Sequence, residues 1–205
     1  MNTQVKAGFS DGTKQSMTDI TNAGFTRRGI LAAFAATAVT AAPTYSKAAG
    51  FLRGSGDIRR IHMYSGRTGE TIDMIYWIDG KYIKDGMREV NYFMRDWRQD
   101  SATNMDTRTI DIMAAAHNTL NTSEPYLLLS GYRTAKTNAM LRARSGGVAK
   151  KSLHMKGQAA DLRLKSRSVS QIAQAAAACR AGGVGRYSSS NFVHMDCGQV
   201  RTWGR

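Results

Sequence analysis

Apolar and polar residues alternate in the segment that follows residue 57. Two stretches, 58–64 and 71–78, flank a glycine-containing turn, and the second carries an apolar residue at every other position: Ile72, Met74, Tyr76 and Ile78. Alternation with a period of two is typical of a strand with one buried face. The dipeptide Asp79-Gly80 favours a tight hairpin turn, which would lead into a third short strand at 81–83.

Apolar residues three and four positions apart predict helices further along the chain. One helix is predicted over 88–99, with Val90, Phe93, Met94 and Trp97 on a single face. The same periodicity predicts helices over 109–120 and 137–144. An Ala-rich helix is predicted over 169–181, where the dipeptide Gly182-Gly183 would end it.

Short apolar runs between these helices complete the predicted sheet. The run at 126–130 is typical of a central strand, and further strands are predicted over 159–164 and 192–196. The sequence contains no internal repeat and no linker long enough to separate domains. The pattern therefore predicts the α+β class: a single domain in which helices pack against a small, mainly antiparallel sheet.

The N-terminal region has the pattern of an export signal. A polar stretch ends in Arg27-Arg28, an apolar run of 14 residues extends from Gly29 to Ala42, and small residues around Ala48 suit a signal peptidase. The run is shorter than the roughly 20 residues that span a bilayer. We expect a twin-arginine signal peptide at 1–48, a mature domain at 49–205 and a periplasmic location. A retained N-terminal anchor and an ordinary helical hairpin are the alternatives.

Composition and charge narrow the class of partner. The chain has 29 Lys and Arg against 15 Asp and Glu, a net charge of +14, and its hydrophobic fraction of 42% suffices for a core. The segment 1–48 carries five basic and two acidic residues, so the remainder keeps +11. A basic exported domain is expected to meet an anionic polymer outside the cell rather than nucleic acid. No recognition-helix motif favours DNA or RNA. Two cysteines exclude a disulfide framework, and the sequence leaves open whether Cys179 and Cys197 pair.

Two segments concentrate residue types that bind metal ions. The first, 152–161, places His154 and Asp161 on either side of a glycine-containing turn, and the second is the predicted strand that carries His194. Two imidazoles and a carboxylate can supply three zinc ligands and leave a fourth position for water, as in catalytic zinc sites. Zinc lowers the pKa of such a water to about 7 and polarises a carbonyl. Taken singly, a histidine on a strand is usually structural and an aspartate after a short loop is usually a cap, so the combination carries the prediction.

The spacing S-x-H-x-x-G-x-A-x-D, followed much later by a histidine, resembles a superfamily of zinc peptidases. That superfamily contains D-Ala-D-Ala peptidases, lysostaphin-type peptidases and hedgehog domains. The chain is more similar to the MepK-type branch of murein endopeptidases, through the segments 130–134, 137–142, 152–161, 183–187 and 192–196. The resemblance implies a hedgehog/D-Ala-D-Ala peptidase-like fold and a Zn2+ cofactor held by His154, Asp161 and His194.

The resemblance also implies a role for Arg133, and the position of Asp196 close to His194 suggests a role for that residue. Arg133 follows the central strand at a position where family members place an arginine that faces the substrate carbonyl, although a surface salt bridge is the alternative. Many D-Ala-D-Ala peptidases carry a glutamate three residues before the last zinc histidine as general base. Here that position is Asn191, which cannot accept a proton. Asp196, two residues after His194 on the same strand face, could serve as the base or orient a ligand imidazole, and orientation is the favoured role. Ser152 is expected to support the His154 turn by a hydrogen bond or a simple cap.

The predicted function is a zinc-dependent peptidoglycan peptidase. An endopeptidase that hydrolyses peptide cross-links is favoured over a D,D- or L,D-carboxypeptidase because the closer resemblance is to that branch. A non-catalytic wall-binding module that keeps the fold and the metal is the alternative from another class. His62 and His117 lie outside any matching motif and are expected to be structural.

Overall fold

The structure, a computed structural model, describes residues 57–204. The predicted signal peptide lies outside the described residues, and the predicted boundary at 48/49 stays a prediction. The strands are β1 (Ile58–Ser65), β2 (Thr71–Ile78), β3 (Lys81–Tyr82), β4 (Tyr126–Ser130), β5 (Ala159–Arg163), β6 (Gly183–Tyr187), β7 (Phe192–Asp196) and β8 (Arg201–Gly204). The helices are α1 (Lys84–Phe93), α2 (Thr107–Thr119), α3 (Ala135–Arg144) and α4 (Val169–Ala178), and a 3-10 turn spans Leu153–Lys156.

The eight strands form one sheet in the order β3-β2-β1-β4-β5-β7-β6-β8. Its strand pairs are antiparallel except for β1 with β4 and β6 with β8, which are parallel. The predicted α+β class and the mainly antiparallel sheet are therefore confirmed. Because β1 and β4 run in the same direction, the loops that follow them leave the sheet at the same edge.

The predicted hairpin between β2 and β3 is confirmed. Asp79 and Gly80 both have positive φ, 45° and 82°, which is the backbone of the turn that matches the twist of paired strands.

The prediction for the first helix is wrong at both ends. The helix α1 starts four residues earlier than predicted and ends at Phe93, so that Trp97 lies beyond it. A Cβ atom on Gly86 would lie 2.8 Å from the carbonyl oxygen of Ile75, so glycine allows the helix to pack closely on β2. After Met94, the Asp96 carboxylate accepts the backbone N–H of Arg98, an alternative to helical hydrogen bonding.

Two strands have no counterpart in the sequence-based prediction. The segment of β6 reads Gly-Val-Gly-Arg-Tyr, and glycine is uncommon in strands, so propensity argues against it. The segment of β8 was expected to be a short tail. Both strands lie at one side of the sheet, where β6 pairs with β7 and β8 pairs with β6, and both contribute to the cavity described below.

The core lies where helices α2 and α4 pack on each other and on the sheet. Residues Ile110 to Ala116 of α2 are all buried, and Ile172, Ala175 and Ala176 of α4 are buried against the same cluster. No helix within residues 57–204 is both long and apolar enough to cross a membrane.

Candidate metal centre

Strand register brings the predicted metal ligands together. Asp161 on β5 pairs directly with His194 on the antiparallel strand β7, so both side chains leave the sheet side by side. His154 lies on the 3-10 turn just before β5, and this turn ends at Gly157 with a φ of 66°. A Cβ atom on Gly157 would lie 2.8 Å from the carbonyl oxygen of Asn104, so glycine allows both the turn and its close packing.

One nitrogen or oxygen atom from each of the three residues converges on a common point. All three atoms lie within 4.8 Å of one another. The Nδ1 atom of His194 is 2.9 Å from Oδ1 of Asp161 and 3.2 Å from Nε2 of His154. That Nε2 atom is 3.3 Å from the same carboxylate oxygen. The structure thus places His154, Asp161 and His194 together, as the sequence predicts.

The second nitrogen of each imidazole is held by an acceptor. Nδ1 of His154 lies 2.7 Å from the carbonyl oxygen of Gly131, and Nε2 of His194 lies 3.1 Å from Oδ2 of Asp196. Acceptors at these positions fix the orientation of each ring, so that the opposite nitrogen faces the common point and can bind a metal once it carries no proton. The donor set of two oriented imidazoles and one carboxylate therefore fits a zinc-type ion with an open position.

Burial and hydrogen bonds act in opposite directions on the pKa values of this group. Burial lowers the pKa of His194, but hydrogen bonds to Asp161 and Asp196 outweigh it and raise the value to about 9. Burial lowers the pKa of His154, against the opposing charge of Asp161. Burial alone would raise the pKa of Asp161, yet the two histidines hold it well below its usual range. Asp161 is therefore anionic and His154 neutral, which are the forms that bind a cation, whereas His194 must release a proton when a cation binds.

Asp196 is fully buried and heavily hydrogen-bonded. Besides His194, its carboxylate accepts the backbone N–H groups of Gly183 and Gly198 and both terminal nitrogens of Arg201. Burial would raise the pKa of Asp196, but hydrogen bonds from His194 and Arg201 hold it well below its usual range. A carboxylate so fully occupied is suited to orienting the imidazole rather than to accepting a proton from water.

Arg133 is buried and contacts a predicted ligand. Its Nη2 donates to Oδ2 of Asp161 at 2.7 Å, and its Nε donates to Oγ of Ser130 at 2.8 Å. The salt bridge weighed from the sequence is therefore present, but it is buried within the site rather than exposed on the surface. Arg133 also lines the cavity, so this anchored arginine lies beside the predicted metal ligands.

The three residues lie at the base of a cavity of about 570 Å³. One wall is aromatic: the rings of Tyr187 and Phe192 stack at 4.5 Å, and Nε1 of Trp203 donates to the hydroxyl of Tyr187. Trp203 lies across Gly185, where a Cβ atom would be 2.6 Å from the indole. This wall could not be predicted from the sequence, because neither β6 nor β8 has the apolar pattern of a strand. Gly185 was the signal in the sequence, because a glycine within a strand often marks the close approach of another group.

The other residues named in the sequence do not join the three predicted metal ligands. Asn191 is exposed, has a φ of 52° and lines a different cavity. Ser152 starts the His154 turn without a side-chain cap hydrogen bond, so its expected hydrogen-bond support is not found within the described residues. His117 packs against Tyr126 and contacts the carbonyl oxygen of Glu124, as expected of a structural histidine. Cys179 and Cys197 are free and buried.

One histidine on the sheet, a second on the adjoining 3-10 turn and an aspartate, together with a fixed arginine in the same cavity, form the kind of centre found in metal-dependent hydrolases. The family model described as "Peptidoglycan L,D-endopeptidase MepK" matches residues 53–203. The chain therefore belongs to this family of peptidases.

Curated relatives carry the same description. The protein named peptidoglycan L,D-endopeptidase MepK in Escherichia coli (strain K12) is 44% identical over 136 residues, which cover 66% of this chain and 75% of the relative. A protein of Haemophilus influenzae, named probable peptidoglycan L,D-endopeptidase MepK, is 36% identical over 137 residues, 66% of this chain and 74% of the relative.

Proposed function

We propose that this protein is a zinc-dependent peptidoglycan endopeptidase that hydrolyses peptide cross-links during cell-wall remodelling. The observation that carries the proposal is the convergence of His154, Asp161 and His194 within 4.8 Å at the base of a cavity. The family match and the names of the relatives support the substrate class and the L,D-endopeptidase activity.

His154, Asp161 and His194 are the residues that would hold the metal ion. Two imidazoles and one carboxylate favour zinc over harder cations such as Mg2+, which prefer oxygen ligands. Bound in such a site, zinc supplies Lewis-acid polarisation of a carbonyl and lowers the pKa of a water molecule.

Arg133 would bind the oxygen of the scissile carbonyl. Its guanidinium is fixed on one side by Ser130 and Asp161 and faces the cavity, so a positive charge is in place before the oxygen becomes negative. Groups held in advance stabilise such charge without a cost of reorganisation. The role of Asp196 is to hold the His194 ring in the orientation that leaves Nδ1 free for the metal.

The proposed place of action is the periplasm, reached through the twin-arginine pathway. A net charge of +11 outside residues 1–48 agrees with a partner rich in carboxylates.

Digestion of isolated sacculi tests the proposal. The purified protein with zinc should release new muropeptide ends, and chelator or the substitution His154→Ala should abolish them. His62→Ala is the matched control, because His62 lies on β1 and does not line the cavity. Binding to sacculi without cleavage at any zinc concentration would instead identify a non-catalytic wall-binding module. Release of single terminal amino acids only would identify a carboxypeptidase.

A further inference from the structure

Two arginines lie near the edge of the sheet from which the Arg133 loop emerges. We call Arg67 and Arg98 the cationic cluster. Arg67 belongs to the turn that follows β1, and Arg133 belongs to the loop that follows β4. Because β1 and β4 are parallel neighbours, with Ser65 opposite Leu128, these two loops leave the sheet at the same edge.

The segment that carries Arg98 is anchored to the Arg133 loop. The backbone N–H of Tyr132 donates to the carbonyl oxygen of Met94 at 2.8 Å. The carboxylate of Asp96 accepts both the backbone N–H and the hydroxyl of Thr134, at 2.9 and 2.8 Å. It also accepts the backbone N–H of Arg98 at 3.1 Å. Arg98 is thereby held beside the loop that borders the metal centre.

The indole ring of Trp97 contacts the guanidinium groups of both Arg67 and Arg98. Arg98 lies 4.2 Å and Arg67 5.9 Å from the centre of the indole, and the indole is 38% exposed. Burial lowers the pKa of Arg98, and the charges of Arg67, Arg133 and Arg144 lower it further, against the opposing charge of Asp96. Like charges are thus held close together instead of being spread over the surface.

No carboxylate among residues 57–204 forms an ion pair with the cationic cluster. The nearby Arg95 provides a contrast, because its guanidinium is paired with both Glu70 and Asp100. Like charges placed together without an ion pair of their own favour an external anion, and guanidinium groups match carboxylates in shape.

We propose that the cationic cluster binds a carboxylate of the peptidoglycan peptide at a subsite outside the metal-centre cavity. This inference rests on the proposed function, since it identifies the ligand as part of the substrate. Neither arginine lines the cavity, so the subsite extends the contact with the substrate beyond the residues that surround the metal centre.

Kinetics of the full chain with a soluble cross-linked muropeptide dimer test the inference. The double substitution Arg67→Gln and Arg98→Gln should raise KM roughly tenfold and leave kcat unchanged, as expected for the loss of a charge-assisted contact. The matched control is Lys81→Gln with Lys84→Gln, which removes the same charge near the opposite end of β2 and should leave KM unchanged. Arg98→Lys should give a smaller rise, because it keeps the charge and loses the planar fork.

A second substrate separates this contact from general electrostatic attraction. The second substrate is the same muropeptide dimer with its free carboxylates converted to carboxamides. Wild-type KM should rise with this dimer, and the arginine double variant should then lose nothing further. An equal loss on both dimers, or an unchanged KM on the first, overturns the subsite.

Failure of the proposed function gives a different result from failure of the subsite. If the wild-type protein leaves the dimer intact, the endopeptidase proposal fails, and calorimetric binding of both uncut dimers then tests the subsite by the same comparison. Binding to vesicles of anionic lipid that depends on Arg67 and Arg98, without binding to the dimer, overturns the peptidoglycan assignment.

Discussion

Asp196 holds His194 in place while it is held itself by two backbone N–H groups and by Arg201. These contacts come from β6, the loop after β7 and β8, so the orientation of one imidazole depends on three separate segments. A hydrogen bond to the imidazole nitrogen that faces away from the metal fixes the ring and its tautomer. Loss of this bond weakens metal binding without removing a ligand.

The substitution Asp196→Asn should therefore weaken zinc affinity roughly 10- to 100-fold, because the amide holds the His194 ring less strongly than a carboxylate does. Competition with a fluorescent chelator measures the affinity. Asp85→Asn is the control, since Asp85 is largely exposed on α1. Unchanged zinc affinity combined with lost turnover would contradict the orienting role and make Asp196 the base.

Arg133→Lys should lower kcat roughly 100-fold at saturating zinc, because lysine cannot contact Ser130, Asp161 and a substrate oxygen together. Steady-state kinetics, with bound zinc quantified in the same sample, measure this effect. Arg163→Lys is the control, since Arg163 lies on β5 but lines a different cavity. Full activity of the Arg133 variant would exclude a role for the guanidinium in catalysis.

At the residue scale, the sequence was informative where chemistry depends on residue type and local spacing. His154 and Asp161 could be predicted because one short turn and the start of one strand carry them both. Trp203 could not, because its proximity to His194 results from the pairing of β6 with β8, which local propensity does not encode.

At the scale of elements, α2 is linked to the metal centre through its N-terminus. Asp106 caps the helix by accepting the backbone N–H of Arg108, and it also accepts the side-chain amide of Gln158, just before β5. The backbone N–H of Asp106 donates to the carbonyl oxygen of Gly157, at the end of the His154 turn.

Asp106→Ala should lower the free energy of unfolding by about 1 kcal/mol, the usual cost of losing an N-cap. Asp106→Asn should cost less, because the amide oxygen can still cap the helix. Urea denaturation followed by circular dichroism measures both values. Equal losses in the two variants would mean that the charge, not the cap, is the source of the stability.

The lowered pKa of Asp106 predicts that the stability of the protein depends on pH. Hydrogen bonds from Arg108 hold the pKa of Asp106 at about 2, below the value of about 3.9 for an unfolded aspartate. A carboxylate whose pKa is lowered on folding stabilises the protein above the unfolded pKa, and this contribution is lost as the pH falls through the folded pKa. The stability difference between the wild-type protein and Asp106→Asn should be constant above about pH 5 and shrink between about pH 4 and 2. Parallel pH profiles would contradict the shift.

Elements with one clear periodicity were predictable, and those shaped by their neighbours were not. The strands β1, β2, β4, β5 and β7 follow from apolar patterning. The strand β6 contains glycines because Asp196, Arg201 and Trp203 occupy the space that side chains there would fill. Its sequence is therefore suited to the site at the expense of strand propensity.

At the scale of the whole molecule, the fold class followed from the sequence and the extent of the sheet did not. Patterning indicated helices on a mainly antiparallel sheet, yet two of the eight strands emerge only from long-range pairing. The predicted export signal concerns residues that lie outside the described part of the chain.

Replacement of Arg27 and Arg28 by lysine should trap the precursor inside the cell, because the twin-arginine pathway depends on that pair. Fractionation and immunoblotting of periplasm and cytoplasm measure the distribution. Replacement of Lys6 and Lys14 by arginine is the control. Undiminished export of the lysine variant would contradict the assigned pathway.

Contributions to the metal centre are spread along the chain from Gly131 to Trp203, and Arg201 of β8 is one of them. A growing polypeptide therefore cannot complete the centre until β8 has been synthesised and has paired with β6. An ion that binds only the finished fold also stabilises it by mass action. Acquisition of the metal would then mark the moment at which folding is finished, before which the centre would have no catalytic activity.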